Sequence, residues 1–338
     1  MLDEDAATFR KRLRGLGLSD SVINAAWPTW WSDDAEASSS ARAELRYSLA
    51  RKLGLEPRSL LEDQQTPQFV WKDTAQFKNL TGETDVEKWA LTSFGTALGS
   101  LLLSITDRPT LLGERNAAEL RSAILDQQPY VRLVDLLSLC WSVGIPTVHL
   151  RVFPWRQKHM TAMTVRVEKG NAILLGKDAQ YPAQIAFYLA HEIAHICLGH
   201  LRSEGIIVDL EREFDIDPPY FPDPQEVLAD QFALTLLTGN PNPVVLPSGR
   251  GWNSRSLANA ALAAADDLQI EPGTLALCFG YSTGKWAVAN RALSYIYTLP
   301  KPAWLEVNSI AARQLAISEL PDDLLNYLKK VLGEVEAW

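Results

Sequence analysis

The residues best suited to chemistry in this sequence are His191, Glu192 and His195, in the run AFYLAHEIAHICL. In an α-helix, residues i and i+4 lie on one face about one turn apart, so both imidazoles can reach the same metal ion. Glu192 projects beside that face, where its carboxylate can take a proton from a metal-bound water. The spacing therefore predicts a zinc site of the hydrolase type, with Glu192 as the base.

The same three side chains could instead form a polar patch in the core without any metal. That arrangement would need hydrogen-bond partners for three buried polar groups, and it would leave a second motif downstream unexplained. His200 follows Gly199, which predicts a helix end at this point. We interpret His200 as a helix-end residue, because a third histidine ligand of the metzincin type needs a longer spacing with an internal glycine.

A second segment supplies the remaining ligand that a catalytic zinc needs. Apolar residues at helical spacing follow Glu226: Val227, Leu228, Phe232, Leu234 and Leu236. Glu226 should therefore stand at the start of a buried helix that packs against the histidine helix. A catalytic zinc takes three protein ligands and keeps one position open, so Glu226 is the predicted third ligand. Asp230, one turn later, is placed to accept a hydrogen bond from the outer nitrogen of a ligating histidine.

Together the two segments resemble the gluzincin metallopeptidases and, more specifically, the ImmA/IrrE family of bacterial metallopeptidases. The resemblance rests on Phe187 before the first motif and on the run EVLADQFA that starts at Glu226, and it covers residues 118 to 245. It implies a small helix–sheet–helix catalytic unit with a Zn2+ cofactor. It also implies a narrow protein substrate, often a DNA-binding repressor or an antitoxin-like protein that is cut to switch transcription.

The first 62 residues have the pattern of a separate helical unit. Phe9, Leu13 and Leu16 mark an amphipathic helix, and the run GLSDSV, which starts at Gly17, supplies a glycine stop and then a serine cap for a second helix. Further along, a third helix is predicted to end at a glycine in the run LARKLGLEPRSLL. That run resembles the last two helices of a lambda-repressor-like (Xre-type) helix-turn-helix domain, a module that commonly accompanies ImmA/IrrE peptidases.

This unit departs from the helix-turn-helix pattern where the recognition helix should lie. The run WPTWWSDD, which starts at Trp27, holds a helix-breaking proline and two acids. Contacts to DNA phosphates need Lys or Arg at such positions. We therefore favour a degenerate helical module that packs on the peptidase or on a partner over one that binds a specific DNA sequence.

Composition sets limits on the rest of the chain. The 338 residues are 47% hydrophobic and 22% charged, which is typical of a folded soluble protein, and the net charge of -9 argues against general attraction to nucleic acid or anionic membranes. Three cysteines in separate apolar segments indicate reduced core residues. The start of the chain is acidic where a secretory signal would be basic. We therefore expect a cytoplasmic protein.

The stretch 89–106 is uncharged and contains a G-x-x-x-G pattern. We interpret it as a buried helix and not as a membrane helix.

The element pattern predicts an α+β protein that is predominantly helical, with a small sheet beside the HExxH helix in a zincin-like catalytic unit flanked by helical domains. The predicted divisions are 1–62 (helix-turn-helix-like), 63–117 (linker and helical segment), 118–245 (metallopeptidase) and 246–338 (C-terminal helices). Several elements are predicted in the middle region of the chain. They are irregular chain over 65–78, helices over 85–106, 115–126 and 131–143, a strand over 147–152, and a hairpin with strands 160–167 and 172–175.

Two further features concern how a substrate would bind. The hairpin is the candidate edge strand for pairing with an extended substrate backbone. Residues 203–223 are rich in acids and prolines, which indicates either an acidic lid over the cleft or a solvated loop. Asp223 and Glu213 in this segment are alternative ligands, although neither begins a packed helix as Glu226 does.

The sequence therefore predicts a zinc-dependent endopeptidase that cleaves a specific regulatory protein by metal-activated water. The alternative is a regulatory or toxin-like binding protein whose zinc site is structural or sensory. The residue that stabilises the oxyanion is not identified by the sequence, and His149, His159, Tyr181 and Tyr220 are candidates.

Overall fold

The computed structural model of the protein describes residues 4–62, 65–72, 74–78, 84–106, 112–155, 160–201, 205–210, 223–246, 252–299 and 301–337. Over these ranges the chain forms fifteen α-helices and one five-stranded mixed sheet. The predicted α+β, predominantly helical class is confirmed.

The helices of the first half are α1 (Ala6–Gly15), α2 (Asp20–Ala26), α3 (Asp33–Ala37), α4 (Ser39–Leu53), α5 (Pro57–Leu61), α6 (Asp85–Ser104), α7 (Ala117–Leu125) and α8 (Leu133–Ser142). Those of the second half are α9 (Pro182–Cys197), α10 (Pro224–Thr238), α11 (Ser254–Leu268), α12 (Pro272–Thr283), α13 (Trp286–Ile296), α14 (Ala303–Gln314) and α15 (Asp322–Leu332), with a short 3-10 turn at Ile317–Glu319. The helices predicted between residues 85 and 143 are present with slightly shorter bounds, and α14 was not predicted.

The sheet consists of β1 (Ala75–Lys78), β2 (Thr147–His149), β3 (Met160–Val167), β4 (Gly170–Leu175) and β5 (Gly205–Leu210). Their order across the sheet is β1-β5-β3-β4-β2. The hairpin β3–β4 forms its centre, β5 pairs antiparallel with β3, and the outer strands β1 and β2 run parallel to their neighbours.

Three expectations for this region are wrong. The hairpin is not an edge, because both of its strands are paired on both sides, and the edges within the described ranges are β1 and β2. The chain at 75–78 is a strand and not irregular, and the start of the expected acidic lid is β5, an interior strand. Short strands such as β1 carry little local signal, since they are stabilised by pairing with residues far away in the chain.

The two faces of the sheet cover different cores. Residues of β5 alternate between them: Ile206 and Val208 belong to a core shared with α6 and the amino-terminal helices, while Ile207 belongs to a core shared with α7 to α10. This is the period of two expected for a strand buried on both sides. Helices α11 to α13 enclose a third, smaller apolar cluster.

The amino-terminal helices share the first core with the sheet and with α15. The predicted serine cap of α2 is Ser19, and its hydroxyl also donates to the carbonyl of Phe153 at 2.5 Å. The buried Lys52 on α4 donates to Asp323 on α15 at 2.7 Å, and the hydroxyl of Tyr327 donates to the carbonyl of Lys52 at 2.8 Å. This unit is thus fixed by buried polar contacts to the carboxyl-terminal part of the chain. The predicted domain boundaries stay predictions.

The glycines of the G-x-x-x-G pattern let α6 approach the sheet closely. A Cβ atom on Gly95 would lie 2.3 Å from Sδ of Met163, and one on Gly99 would lie 2.9 Å from Cγ1 of Val165. The pattern therefore serves helix-to-sheet packing. Within the described ranges, no helix combines the length and the apolar character that crossing a bilayer requires.

Gly54 tests how firmly α4 is packed on α6. It ends α4 in the left-handed conformation (φ 68°), and a Cβ there would lie 2.4 Å from the carbonyl oxygen of Ser93. We expect Gly54→Ala to lower the free energy of unfolding by about 2–5 kcal/mol, since left-handed strain adds to a backbone clash. Gly284 is the matched control, because it has φ 70° with open space around it. Gly284→Ala should cost only the strain of about 1–2 kcal/mol. Urea unfolding of both variants measures the difference, and equal losses would contradict the packing explanation.

Candidate metal centre

Helix α9 brings the two histidines of the motif onto one face. Pro182 stands at its first turn, where a missing N–H costs nothing. The helix ends at Cys197, two residues before Gly199 (φ 68°), the glycine predicted to mark its end. The helix is buried on several sides between the sheet and α10, and His191 and His195 are 6% and 0% exposed. Their Nε2 atoms lie 3.1 Å apart. The i, i+4 spacing thus directs both ring nitrogens to one point.

Two carboxylates complete the cluster at this point. Each residue of the group His191, His195, Asp209 and Glu226 offers one ligand atom, and these atoms all lie within 4.8 Å of one another. The oxygens of Glu226 lie 3.5 Å from Nε2 of each histidine, and Oδ2 of Asp209 lies 3.3 Å from Nε2 of His191. All four residues are buried, and together they could hold a metal ion.

Glu226 lies in the first turn of α10, whose amino-terminal cap is Asp223. The helix was predicted from apolar spacing, and Phe232 and Leu236 are buried as expected. Leu228 is 49% exposed, however, whereas Ala229 and Ala233 are fully buried. The small residues follow Glu226 at i+3 and i+7, so the face that carries Glu226 is the one that packs closely on α9. Asp223, the alternative ligand, caps this helix by accepting a hydrogen bond from the backbone N–H of Gln225, and it does not belong to the cluster of four donors.

Asp209 was not predicted as part of the site. It lies on β5, and its neighbours Val208 and Leu210 point to the opposite face of the sheet. The run GIIVDL could have revealed it, because a β-branched apolar run after a glycine indicates a strand. An acidic side chain on the core-facing side of such a strand needs a hydrogen-bond partner or a counter-charge.

Outer contacts hold the two histidines in place. Nδ1 of His191 lies 2.9 Å from Oδ1 of Asp230, which is the predicted contact. Nδ1 of His195 lies 2.9 Å from Nδ1 of His200, so His200 orients a histidine and does not belong to the group of four. These contacts leave the Nε2 atoms of both histidines facing the carboxylates.

Lys78, at the end of the edge strand β1, places a cation beside the cluster. Its Nζ donates to Asp223 at 2.6 Å and to Gln225 at 2.9 Å, and it lies 4.0 Å from Oε1 of Glu226. Lys78 therefore joins β1 to the start of α10 and helps to fix the position of Glu226.

Glu192 is completely buried next to the four donors. Thr164 on β3 donates a short hydrogen bond to its Oε2. Its Oε1 is also buried and has no hydrogen-bond partner among the described residues. One carboxylate oxygen is thus anchored, and the other is free to accept a proton.

The ionisation of the cluster reflects burial and mutual charge. Burial raises the pKa of Glu192 well above its ordinary value, and the charge of Asp209 raises it further. Burial disfavours the charged form of His191, but hydrogen bonds with Asp209, Asp230 and Glu226 outweigh it and raise the pKa of His191. Burial lowers the pKa of His195 to about 3. A bound cation would replace these protons as the counter-charge of the carboxylates.

The other predicted site residues lie elsewhere. Both ring nitrogens of His149 contact backbone carbonyls, and three strand spacings, about 14 Å, separate it from Asp209 along one row of the sheet. Tyr181 precedes α9 and stacks on Tyr297 at 5.5 Å, far from the histidines. Neither is placed to stabilise an oxyanion. The remaining candidates, His159, Glu213 and Tyr220, and the acidic segment beyond Leu210, lie outside the described residues.

Comparison with protein-family models, with curated protein sequences and with solved structures found no match for this chain. The resemblance to the ImmA/IrrE peptidases stays a prediction from the two motif segments. The chemistry that the site can perform is therefore inferred from its own residues.

Proposed function

We propose that the protein is a zinc-dependent endopeptidase that cleaves a specific regulatory protein, such as a DNA-binding repressor or an antitoxin-like protein. One observation carries this proposal: a buried set of histidine and carboxylate donors lies next to a glutamate with one anchored and one unpartnered oxygen. Such a glutamate adds nothing to a purely structural metal site, whereas hydrolysis needs a base at this position.

The donor set suits zinc. Ligands at about 2.0–2.1 Å from a tetrahedral zinc ion are about 3.3 Å from one another. The two Nε2 atoms are 3.1 Å apart, and the carboxylate oxygens lie 3.3–3.9 Å from them. In addition, Oδ1 of Asp209 and Oε1 of Glu226 are buried without a hydrogen-bond partner among the described residues. His191, His195 and Glu226 would hold the metal, and a bound zinc ion would lower the pKa of a water ligand and polarise the scissile carbonyl.

The chain's own groups would move the proton. Oε1 of Glu192 accepts the proton of the attacking water and then returns it to the leaving amine. Thr164 keeps the carboxylate in place through Oε2, so the free oxygen needs no reorientation between the two transfers. Asp230 holds the outer nitrogen of His191 and thereby fixes the ring that would ligate the metal.

The sheet edge next to the site offers a place for an extended substrate. Strand β1 ends at Lys78 beside the donors, and within the described ranges its other side is unpaired. The opposite edge, β2, is covered, since Asn308 on α14 exchanges two hydrogen bonds with the backbone of His149, at 2.7 and 2.8 Å. An extended segment of a partner would thus add to β1. The net charge of -9 favours a segment of basic character, such as the linker of a repressor.

Cleavage of a defined partner tests this function. The full chain, loaded with one equivalent of zinc, is incubated with DNA-binding proteins encoded near its own gene, and the products are mapped by mass. We expect one or two cuts in a flexible, basic segment. The metal-free chain should make no cut, and returning zinc should restore cleavage. Degradation of casein without any preferred partner would contradict the narrow specificity and leave the zinc chemistry intact.

A second candidate function is a binding protein with a structural or sensory zinc site. Asp209 favours it, because four protein donors fill a tetrahedral zinc and leave no position for water. In that case, removing zinc would lower the free energy of unfolding by several kcal/mol, and no partner would be cut.

A further inference from the structure

We propose that Asp209 occupies the fourth ligand position of the metal centre in the resting protein, so that the site stays closed until this carboxylate withdraws. The ligand position of Asp209 stands on the geometry alone. The opening step rests on the proposed function, because only a hydrolytic site needs a free position for water and for the substrate carbonyl.

Asp209 lies as close to the two histidines as Glu226, the predicted third ligand, does. Its Oδ2 lies 3.3 Å from Nε2 of His191 and 3.9 Å from Nε2 of His195, which is comparable with the 3.5 Å from Glu226 to each histidine. The residue is 6% exposed, and its Oδ1 has no hydrogen-bond partner among the described residues. A buried carboxylate with a free oxygen is costly, and a metal ion removes that cost.

The pairing between β3 and β5, the strand that carries Asp209, is irregular at the same point. Asp209 pairs with Ala162 and the next residue, Leu210, pairs with Met160, so one residue of β3 is bulged opposite Asp209. A β-bulge re-aims a side chain and weakens the local ladder, and bulges are common next to active sites. The bulge therefore weakens the pairing of β5 at the residue that would have to withdraw, Asp209.

The position of Glu192 indicates that the metal site opens at some stage. Its unpartnered Oε1 is buried beside the four donors, and a permanently closed, structural site would have no use for it. A substrate carbonyl or a water that displaces Asp209 would enter next to this oxygen. Asp209 thus acts as an internal competitor of the substrate, which limits cleavage to partners that bind well enough to displace it.

The test uses an added ligand and not activity. The full chain is loaded with cobalt(II) at a saturating concentration, and acetohydroxamate, a metal-binding anion, is titrated while the visible absorption of the cobalt is recorded. An internal competitor lowers the apparent affinity in proportion to the closed fraction. We expect Asp209→Ala and Asp209→Asn each to bind acetohydroxamate about tenfold or more tightly than the wild type.

The controls separate ligation from simple removal of bulk. Glu119→Gln changes an exposed acid of α7 outside the donor set, and it should titrate like the wild type. Asn keeps the size of Asp, so tighter binding in Asp209→Ala alone would mean that the side chain blocks the site sterically, and this would overturn the proposal. Equal affinities in wild type and both variants would also overturn it. Because no cleavage is measured, failure of the proposed function leaves this result unaffected, and the reverse also holds.

Discussion

Glu192→Gln is expected to slow cleavage of the partner protein by about 10²–10⁴-fold, while the zinc content and the free energy of unfolding stay close to those of the wild type. Gln keeps the size of Glu and its helix propensity, and its amide oxygen can still accept the hydrogen bond from Thr164. It cannot take up a proton from water. The loss should appear in kcat, because the base acts in the chemical step and not in holding the substrate.

Glu119→Gln is the matched control, since Glu119 is an exposed residue of α7 outside the site. Its cleavage rate should equal that of the wild type. Metal analysis and urea unfolding of both variants show whether fold and zinc are intact. If Glu192→Gln replaced the wild type fully in the cell, the proposed peptidase function would be ruled out. The alternative, a binding protein with a structural or sensory zinc site, would then be favoured.

Replacement of Glu226 should have the second large effect, a loss of zinc. Metal binding of about 10–16 kcal/mol shared among four ligands gives about 3 kcal/mol for each, so the zinc dissociation constant should rise by more than about 100-fold. Glu226→Ala and Glu226→Gln should both show this loss, because the amide of Gln lacks the charge that holds a cation. Competition with a chelator of known affinity measures the dissociation constants.

His200→Ala provides the comparison, because His200 contacts His195 only through the outer nitrogen, Nδ1. Loss of such an outer contact costs about 10-fold to 100-fold in metal affinity, at most the smaller of the two effects. If His200→Ala strips the zinc and Glu226→Ala retains it, the ligand assignment is wrong.

Much of the local structure follows from the sequence. The i, i+4 spacing places His191 and His195 on one face of their helix, and Gly199 marks its end, so both features were predicted from local signals. The cap Ser19, the hairpin β3–β4 and the start of α10 near Glu226 were likewise predicted from neighbouring residues, and the structure contains them. All three cysteines are buried and unpaired, as their apolar surroundings indicated.

Contacts between distant segments decided the remainder of the site. Strand β5 lies between β1 and β3, although β1 is more than a hundred residues earlier in the chain, and this insertion puts Asp209 among the donors and Lys78 beside them. The same insertion makes the hairpin interior and β1 the edge. Local propensity sets where a helix begins and ends, but strand order depends on which distant surfaces pair and are buried together. The sequence by itself therefore predicted three of the four donors and the glutamate beside them, whereas only the tertiary structure brought in Asp209, the fourth donor that would close the metal site.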